Sequence, residues 1–231
     1  MEETELSRKK PRGVMDSGYH HERLKSPGPR YRLKRRAMEA ARIILQHAAK
    51  KPCILDIGTA DGLMLDLVCS RTDPSFAAGI DLSWGLLKTN TRNNPLAMAD
   101  AEALPFGDGS FDVAIATAII EHVPHPEKFV TEIRRILKPD GICILTTPVP
   151  LFEEFASKLG FLKEDDHQET FPLKKLAALV AGKGFQLLEA EKFMMSPIGF
   201  PAERMIEKMI RRVGLSPLLL NQLVAARRTN H

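Results

Sequence analysis

ILDIGTADG, at residues 54–62, is the most informative stretch of this 231-residue sequence. Its apolar half predicts a buried strand, its small residues predict a tight turn, and the apolar residues after it predict a helix. Small residues at positions 58, 60 and 62 let a ligand approach the backbone without meeting a bulky side chain. In an open parallel sheet the ligand crevice lies beyond the carboxyl ends of the strands. The stretch therefore predicts a ligand-binding turn at that edge.

The chemistry of this turn differs from that of the nucleotide-binding motifs. It has neither the GxGxxG spacing of dinucleotide folds nor a phosphate loop that ends in Gly-Lys-Ser/Thr. Instead, Asp56 lies two residues before Gly58. A carboxylate there repels a pyrophosphate but suits a ligand that carries an ammonium group and a positive sulfur. A tight strand–helix turn without a ligand is the alternative reading of the motif by itself.

Further acids follow at the predicted ends of the next strands. Asp81 ends the second strand, where a carboxylate accepts hydrogen bonds from both hydroxyls of a ribose. Asp100 ends the third, where a carboxylate accepts from an adenine amino group, with Leu82 and Leu104 available to cover the ring faces. The fourth strand brings Thr117 to the same edge. One acid alone is more often a solvated strand end, but three at successive strand ends predict a common crevice.

Short apolar runs alternate with helical patterns along most of the chain, which predicts an α/β fold with a parallel sheet and helices on both faces. The predicted strands are 53–57, 76–80, 96–99, 111–116, 142–147, 185–194 and 220–226. The predicted helices are 31–50, 63–69, one from residue 83, 127–137, 172–183 and 202–213, and a Pro/Gly break is expected at 138–141.

From about residue 35 onward, the chain resembles the class I S-adenosylmethionine-dependent methyltransferases, in the branch that includes the quinone-biosynthesis enzymes. The matching pieces are ILDIGTADG, GIDLS, MADAEALPFGDGSFDVAIA, IIEHVPHPEKFVTEIRRILKPDGICILTTP and ETFPLKKLAALVAGKGF. The resemblance implies a Rossmann-like seven-stranded sheet of order 3-2-1-4-5-7-6 with strand 7 antiparallel. It also implies S-adenosyl-L-methionine as the cofactor.

The resemblance further implies that the turn at Gly58 lies alongside the methionine moiety of the cofactor, that Asp81 binds the ribose and that Asp100 with Ala101 binds the adenine. Two residues depart from the family pattern, because Ala60 replaces the middle Gly and Asp140 the first of a usual Gly pair. The expected cofactor-binding residues are Asp56, Gly58, Thr59, Ala60, Gly62, Asp81, Leu82, Asp100, Ala101 and Thr117.

Methyl transfer from a sulfonium requires neither a covalent enzyme intermediate nor a metal, and the sequence has no metal-ligand cluster. An oxygen acceptor needs a general base, for which histidine has a suitable pKa. His167, after the fifth strand, is the first candidate and His122 the second, with a structural histidine as the alternative for His122. His125, before Pro126, is expected to cap a helix.

The basic residues are concentrated at the start of the chain. Residues 1–36 hold eleven Lys/Arg and five Asp/Glu, a net charge of +6. Since the whole chain has a net charge of +4, the remainder has a net charge of −2. We expect a mobile basic arm at 1–29 and one domain at 30–231. Because the positive charge belongs to the N-terminal segment and not to the domain, it argues against a nucleic-acid-binding fold. Three scattered cysteines and the lack of an apolar run of eighteen residues predict a cytoplasmic protein without a transmembrane segment.

The predicted helix 202–213 places Met205 and Met209 on one apolar face. Such a helix commonly covers a core, and the alternatives are a lid over a greasy acceptor or a peripheral contact with a membrane surface. Glu203 and Glu207 weaken the membrane interpretation, because they reduce the attraction to anionic lipid.

Three functions are therefore compared. The leading hypothesis is a methyltransferase for a small molecule: a quinone, lipid, sugar or other metabolite. The second is an RNA or protein methyltransferase that uses the basic residues 30–36, and the third is a non-catalytic scaffold that binds the cofactor. Residues 117–120 read TAII in place of an Asn-Pro-Pro-Tyr-like tetrapeptide, which argues against methylation of nucleobase or glutamine amino groups. The sequence leaves the acceptor and the oligomeric state open.

Overall fold

The structure is a computed structural model, which describes residues 18, 22, 24–150 and 170–229. In chain order, its elements are α1 (Pro27–His47), β1 (Cys53–Ile57), α2 (Leu63–Thr72), β2 (Phe76–Asp81), α3 (Trp84–Leu87), β3 (Leu96–Met98), β4 (Phe111–Thr117), α4 (Pro126–Ile136), β5 (Leu137–Pro148), α5 (Leu173–Gly182), β6 (Phe185–Phe193), α6 (Glu203–Arg212), a 3-10 turn (Ser216–Leu218) and β7 (Asn221–Arg228).

The strands form a seven-stranded sheet of order β3-β2-β1-β4-β5-β7-β6. Strands β1 to β5 pair in parallel, whereas β7 runs antiparallel to both of its neighbours, β5 and β6. The predicted Rossmann-like fold and its strand order are therefore confirmed. Since β1, β2 and β4 are adjacent and parallel, their carboxyl ends meet at one edge of the sheet.

Helices cover both faces of the sheet, as β1 illustrates. Leu55 and Ile57 belong to a core that includes the apolar residues of α4 and α5. Ile54 belongs to a second core, formed with α1 and α2. Because successive strand residues point to opposite faces, Asp56 lies on the same side of the sheet as Ile54. The one acid of β1 is thus directed towards the face that carries α1 and α2.

The predicted break at residues 138–141 lies inside a strand. Strand β5 begins at Leu137, which pairs with Phe111 before the register with β4 shifts. Asp140 has a φ of +63°, in the left-handed region that Asp tolerates better than most residues. The Pro/Gly stretch is therefore an irregularity within β5, which explains why the pattern resembled a loop.

The start of the chain contributes mainly through α1. This helix begins at Pro27, four residues before its predicted start. Most of the predicted basic arm, residues 1–29, lies outside the described residues, so that the arm stays a prediction. In the part of the chain that the structure describes, no helix has the length and apolar character that crossing a bilayer requires.

Candidate active site

The turn between β1 and α2 has an unusual backbone. Gly58, Ala60 and Gly62 all have positive φ values, of +75°, +52° and +80°. The amides of Gly58 and Thr59 donate to the carbonyl of Ile80 on β2, at 2.8 and 2.9 Å. A Cβ atom added at Gly58 would lie 2.8 Å from Cδ1 of Ile119, so that this side chain would have to move, and the positive φ itself favours glycine. The turn is thus held against the ends of β2 and β4.

Asp56 is a buried acid at the base of this turn, and its side chain is only 1% exposed. Neither carboxylate oxygen has a hydrogen-bond partner among the described residues, and the same holds for the buried hydroxyl of Thr59. Burial raises the pKa of Asp56 to about 7, the nearby Thr59 side chain partly opposes this rise, and the charge of Asp81 adds to it. An acid in this state gains from a cationic ligand.

Asp81 connects the end of β2 to the turn. Its Oδ2 accepts from the amide of Ala60 at 2.9 Å, and its Oδ1 accepts from the amide of Ser83 at 2.8 Å. An ionised carboxylate acts only as an acceptor and has about four acceptor sites. Asp81 therefore fixes the turn and keeps the chemistry of a hydrogen-bond acceptor.

The strand registers bring the predicted residues together. Ile57 of β1 pairs with both Ile80 of β2 and Ala116 of β4. The next residues, Gly58, Asp81 and Thr117, consequently form a row across three strand ends. The structure thus places these three predicted residues at one edge of the sheet.

The predicted adenine region lies one strand further out. Asp81 pairs with Met98 of β3, so that Asp100 follows two residues beyond that pair. Asp100 is exposed, and its Oδ1 accepts from the amide of Glu102 at 2.8 Å. Next to it lies the half-buried Ala101. Of the two leucines expected to cover a ring, Leu82 is exposed, whereas Leu104 is buried in the core.

The histidines have separate environments. His122 is half-buried in the turn after β4, and its amide donates to the carbonyl of Ile119 at 2.8 Å. His167 lies outside the described residues. His125 occupies the N-cap position of α4 but makes no side-chain cap bond, because its Nδ1 lies 2.9 Å from Glu102 Oε2. The predicted cap position of His125 is therefore confirmed, whereas its ring contacts the buried carboxylate of Glu102 and does not bond to the helix.

Two contacts at the turn were missed from the sequence. Arg92 donates from Nη1 to the carbonyl of Asp61 at 2.9 Å, and the same atom lies 3.6 Å from Asp61 Oδ2. Ile119 packs behind Gly58, as described above. The signal for Arg92 was a lone cation in the polar stretch TNTRNNP, whereas nothing in the sequence indicated Ile119. Within the described ranges, no group of three or more His, Cys, Asp or Glu is arranged to hold a metal ion.

This geometry agrees with the comparison to known proteins. The sequence matches the methyltransferase-domain family over residues 30–190, well over half of the chain. The chain belongs to the class I S-adenosylmethionine-dependent methyltransferases. Members of this family bind S-adenosylmethionine, and the buried carboxylate of Asp56, which has no hydrogen-bond partner among the described residues, fits such a cationic molecule.

Curated relatives include enzymes with different acceptors. The demethylmenaquinone methyltransferase of Thermus thermophilus is 29% identical over 84% of this chain and 86% of that protein. The ubiquinone/menaquinone biosynthesis C-methyltransferase UbiE of Bartonella bacilliformis is 30% identical over 71% of this chain and 64% of that protein. The malonyl-[acyl-carrier protein] O-methyltransferase of Marinomonas is 30% identical, but over only 41% of this chain. The chain spans half or less of the length of several curated relatives that it matches.

A solved structure with the same fold comes from Haloferax volcanii. It is a complex between the Trm112 methyltransferase activator and a methyltransferase. The TM-score is 0.67, with 18% identity over 91% of this chain and 97% of that chain. At this identity, the likeness shows the fold alone.

Proposed function

We propose that this methyltransferase transfers the methyl group of S-adenosylmethionine to a small, apolar acceptor of the quinone class. The observation that carries the cofactor site is the buried Asp56 carboxylate, which has no hydrogen-bond partner among the described residues. The acceptor class is supported by the T. thermophilus relative, whose similarity extends over most of both chains. Lipids, sugars and other metabolites remain the alternatives within the small-molecule class.

The cofactor roles follow the row of strand ends. Asp56 provides the negative charge for the ammonium end of the cofactor, and Asp81 accepts from the ribose hydroxyls. The backbone turn that contains Gly58, Thr59, Ala60 and Gly62 passes the methionine moiety, since small side chains permit close approach. The exposed Leu82 and the pair Asp100–Ala101 would hold the adenine, and Thr117 would border the crevice at β4.

When bound, the cofactor supplies a methyl group on a positively charged sulfur. The task of the chain is to hold the acceptor atom about 3–3.5 Å from that methyl carbon, in line with the bond that breaks. A rigid backbone around the cofactor helps to keep this distance. The turn between β1 and α2 is held to β2 by two backbone hydrogen bonds and by the side chain of Asp81. We propose His122 and His167 as the groups that take a proton from the acceptor.

Calorimetry with S-adenosylmethionine tests the cofactor site. We expect Asp81→Asn to weaken binding by about tenfold or more, because a bond to a charged acceptor contributes roughly 1.5–3 kcal/mol. Asp73→Asn is the matched control, since Asp73 is an exposed acid whose left-handed conformation suits Asn. Unchanged affinity in a folded Asp81→Asn variant would contradict the assignment.

A labelled-methyl assay tests the acceptor. The protein is incubated with labelled cofactor and, separately, with a short-chain demethylmenaquinone, tRNA, total cell protein and a metabolite extract. We expect label in the quinone. Label in tRNA or protein instead would overturn the small-molecule acceptor, and a labelled product from the extract alone would overturn the quinone class.

Histidine variants test the general base. We expect His122→Gln or His167→Gln to lower kcat by about 10²–10⁴-fold while the cofactor affinity stays the same. His125→Gln is the control, because this histidine is bound to Glu102. Unchanged kcat and pH profile in both variants would remove the histidine base from the proposal.

We also infer a cytoplasmic location, which is supported by three cysteines that are all free thiols.

A further inference from the structure

Helix α6 has an inverted orientation. Its two acids, Glu203 and Glu207, are only 2% exposed, whereas Met205 and Met209 are 61% and 59% exposed. A surface helix normally buries its apolar face and exposes its charges. Here the carboxylates face the protein and the methionines face outward.

The buried acids are satisfied by the rest of the fold. Both oxygens of Glu207 accept from Nη2 of Arg35, at 2.9 and 2.8 Å. Glu203 accepts from the amides of Met195 and Ser196, each at 2.8 Å, and from the hydroxyl of Tyr31. From the sequence, Glu203 and Glu207 were expected to reduce the attraction of this helix to anionic lipid. That expectation does not hold, because both acids lie on the inner side of the helix and are paired.

The outward charges of this region are all positive. Between Met194 and Leu219, the chain has only two acids, Glu203 and Glu207, and both are buried. The exposed charged residues of the same stretch are Arg204, Lys208 and Arg212. A row of cations beside exposed apolar residues complements a surface of anionic headgroups above acyl chains.

The apolar surface extends beyond the helix. Met205, Met209 and Val213 follow one another at a spacing of four residues, and Val213 is 68% exposed. Apolar residues that are also exposed precede and follow this stripe: Ile198, Phe200, Leu215 and Leu218. Exposed apolar surface of this extent commonly marks a protein or membrane contact.

The position of this surface relates it to the active site. The chain leaves β6 after Phe193 and re-enters the sheet at Asn221, whose partners are Phe193 and Pro148. The amide of Leu220 donates to the carbonyl of Met194, and that of Val149 to the carbonyl of Leu220, at 2.8 and 2.9 Å. The segment therefore starts and ends at the carboxyl edge of the parallel strands, the edge that holds the proposed cofactor site.

We propose that α6 and the residues up to Leu218 rest on the surface of a bilayer that contains anionic phospholipid. The methionines and leucines enter the headgroup–acyl boundary, and the three exposed cations contact lipid phosphates. This contact brings the carboxyl edge of the sheet close to the bilayer, so that an apolar acceptor can reach the enzyme from the lipid. The delivery of the acceptor rests on the proposed function, whereas the contact itself does not.

Vesicle sedimentation with the full chain tests the contact. Vesicles of phosphatidylcholine are compared with vesicles in which part of that lipid is replaced by phosphatidylglycerol. We expect binding to the anionic vesicles that weakens as salt is added. The double variant Met205→Ser/Met209→Ser should lose most of the bound fraction. Phe76→Ser, an exposed apolar residue at the opposite edge of the sheet, is the matched control and should bind like wild type.

A second pair of variants separates charge from apolar contact. Arg204→Gln/Lys208→Gln should weaken binding to anionic vesicles by about 25-fold, because each of the two cations near the surface contributes about a fivefold factor. Lys50→Gln/Lys51→Gln changes two exposed lysines that precede β1 and should have no effect. Circular dichroism and cofactor calorimetry on each variant test whether the fold is intact.

Three results would overturn the contact. The first is wild type that stays in the supernatant with both kinds of vesicle. The second is binding that the methionine and cation variants leave unchanged. The third is a dimer in sedimentation velocity that Met205→Ser/Met209→Ser dissociates, which would assign this face to a second copy. Vesicle binding without methylation of the quinone would instead overturn the proposed acceptor class and support the proposed membrane contact of α6.

Discussion

Ala60 adopts a conformation that favours glycine. With a φ of +52°, it lies in the left-handed region at the middle of the turn. There the Cβ of a non-glycine residue costs roughly 1–2 kcal/mol. The amide of the same residue donates to Asp81, so that the strain lies next to a contact that shapes the proposed cofactor site.

We expect Ala60→Gly to stabilise the protein. Relief of the strain exceeds the extra entropy of glycine in the unfolded chain, for a net gain of up to about 1 kcal/mol. Urea denaturation measures the change. Ala178→Gly, an exposed site within α5, is the control and should lose about 1 kcal/mol. A loss of stability at both sites would show that residue 60 is not strained.

Asp56 should make the stability of the ligand-free protein dependent on pH. Its pKa is about 7 in the folded chain, against an ordinary value of 3.8. The folded state therefore binds more protons than the unfolded state between these two values, and the free energy of unfolding falls as the pH rises through that interval. The corresponding loss is on the order of 4 kcal/mol by pH 8.

Asp56→Asn removes this titration. We expect the variant to gain stability relative to wild type between pH 5 and 8, and to bind S-adenosylmethionine more weakly because the charge for its ammonium end is gone. Urea denaturation at the two pH values, with Asp73→Asn as the control, measures the first effect, and calorimetry measures the second. Parallel stability curves for wild type and Asp56→Asn would contradict the raised pKa.

At the scale of elements, a buried ion pair joins α1 to α6. Arg35 is buried and binds Glu207 through two hydrogen bonds, and its Nη1 lies 3.4 Å from Glu39 on its own helix. Glu39 also accepts from Arg42 at 2.8 Å. Burial raises the pKa of Glu207, and the charge of Arg35 opposes that rise. Loss of the arginine alone would leave the buried carboxylate of Glu207 without its cation, whereas Glu39 would keep Arg42.

We expect Arg35→Met to destabilise the protein by roughly 3–5 kcal/mol, because an unpaired buried charge remains. The double variant Arg35→Met/Glu207→Leu should recover most of that loss, since both buried groups then become apolar while Arg42 still neutralises Glu39. Thermal unfolding of Arg35→Met, of Glu207→Leu and of the double variant measures the coupling. Additive losses would show that the two side chains do not act as a pair.

For the whole molecule, β7 completes the sheet from the far end of the sequence. It pairs with β5 over residues 221–227 and with β6 over 221–228, and its residues from Asn221 to Ala226 are buried. Without β7, two strands would lose their neighbour and both cores would lose apolar surface. The sheet is therefore one continuous hydrogen-bonded unit that depends on β7 to join β5 to β6.

A chain that ends at Leu220 should fail to fold. The unpaired edges of β5 and β6 would expose backbone donors and acceptors together with apolar side chains. A chain that ends at Thr229 keeps β7 and the bond from the Thr229 amide to the carbonyl of Gly184, and should unfold like the full chain. Circular dichroism and thermal unfolding compare the two. A cooperative transition in the shorter chain would contradict this account of β7.

The sequence alone determined the features that depend on local pattern. The alternation of apolar runs and helical periods predicted the elements, because each type of element repeats its buried face at its own period. The turn at Gly58 and the acids Asp56, Asp81 and Asp100 were identified for the same reason, since strand ends and small residues are visible in order along the chain. The resemblance of the motifs then supplied the strand order.

Only the tertiary structure decided the features that depend on distant partners. The burial of Asp56, and with it the raised pKa, arises from packing on all sides of β1. The orientation of α6 is set by Arg35 and Tyr31, which lie 172 residues from their partners Glu207 and Glu203. The sequence pattern of an amphipathic helix shows that it has a polar and an apolar face, but not which of the two faces the protein. The inward side of α6 became known only when Arg35 and Tyr31 of α1 were placed beside its acids, because the free-energy cost of burying a carboxylate is offset by hydrogen-bonding partners.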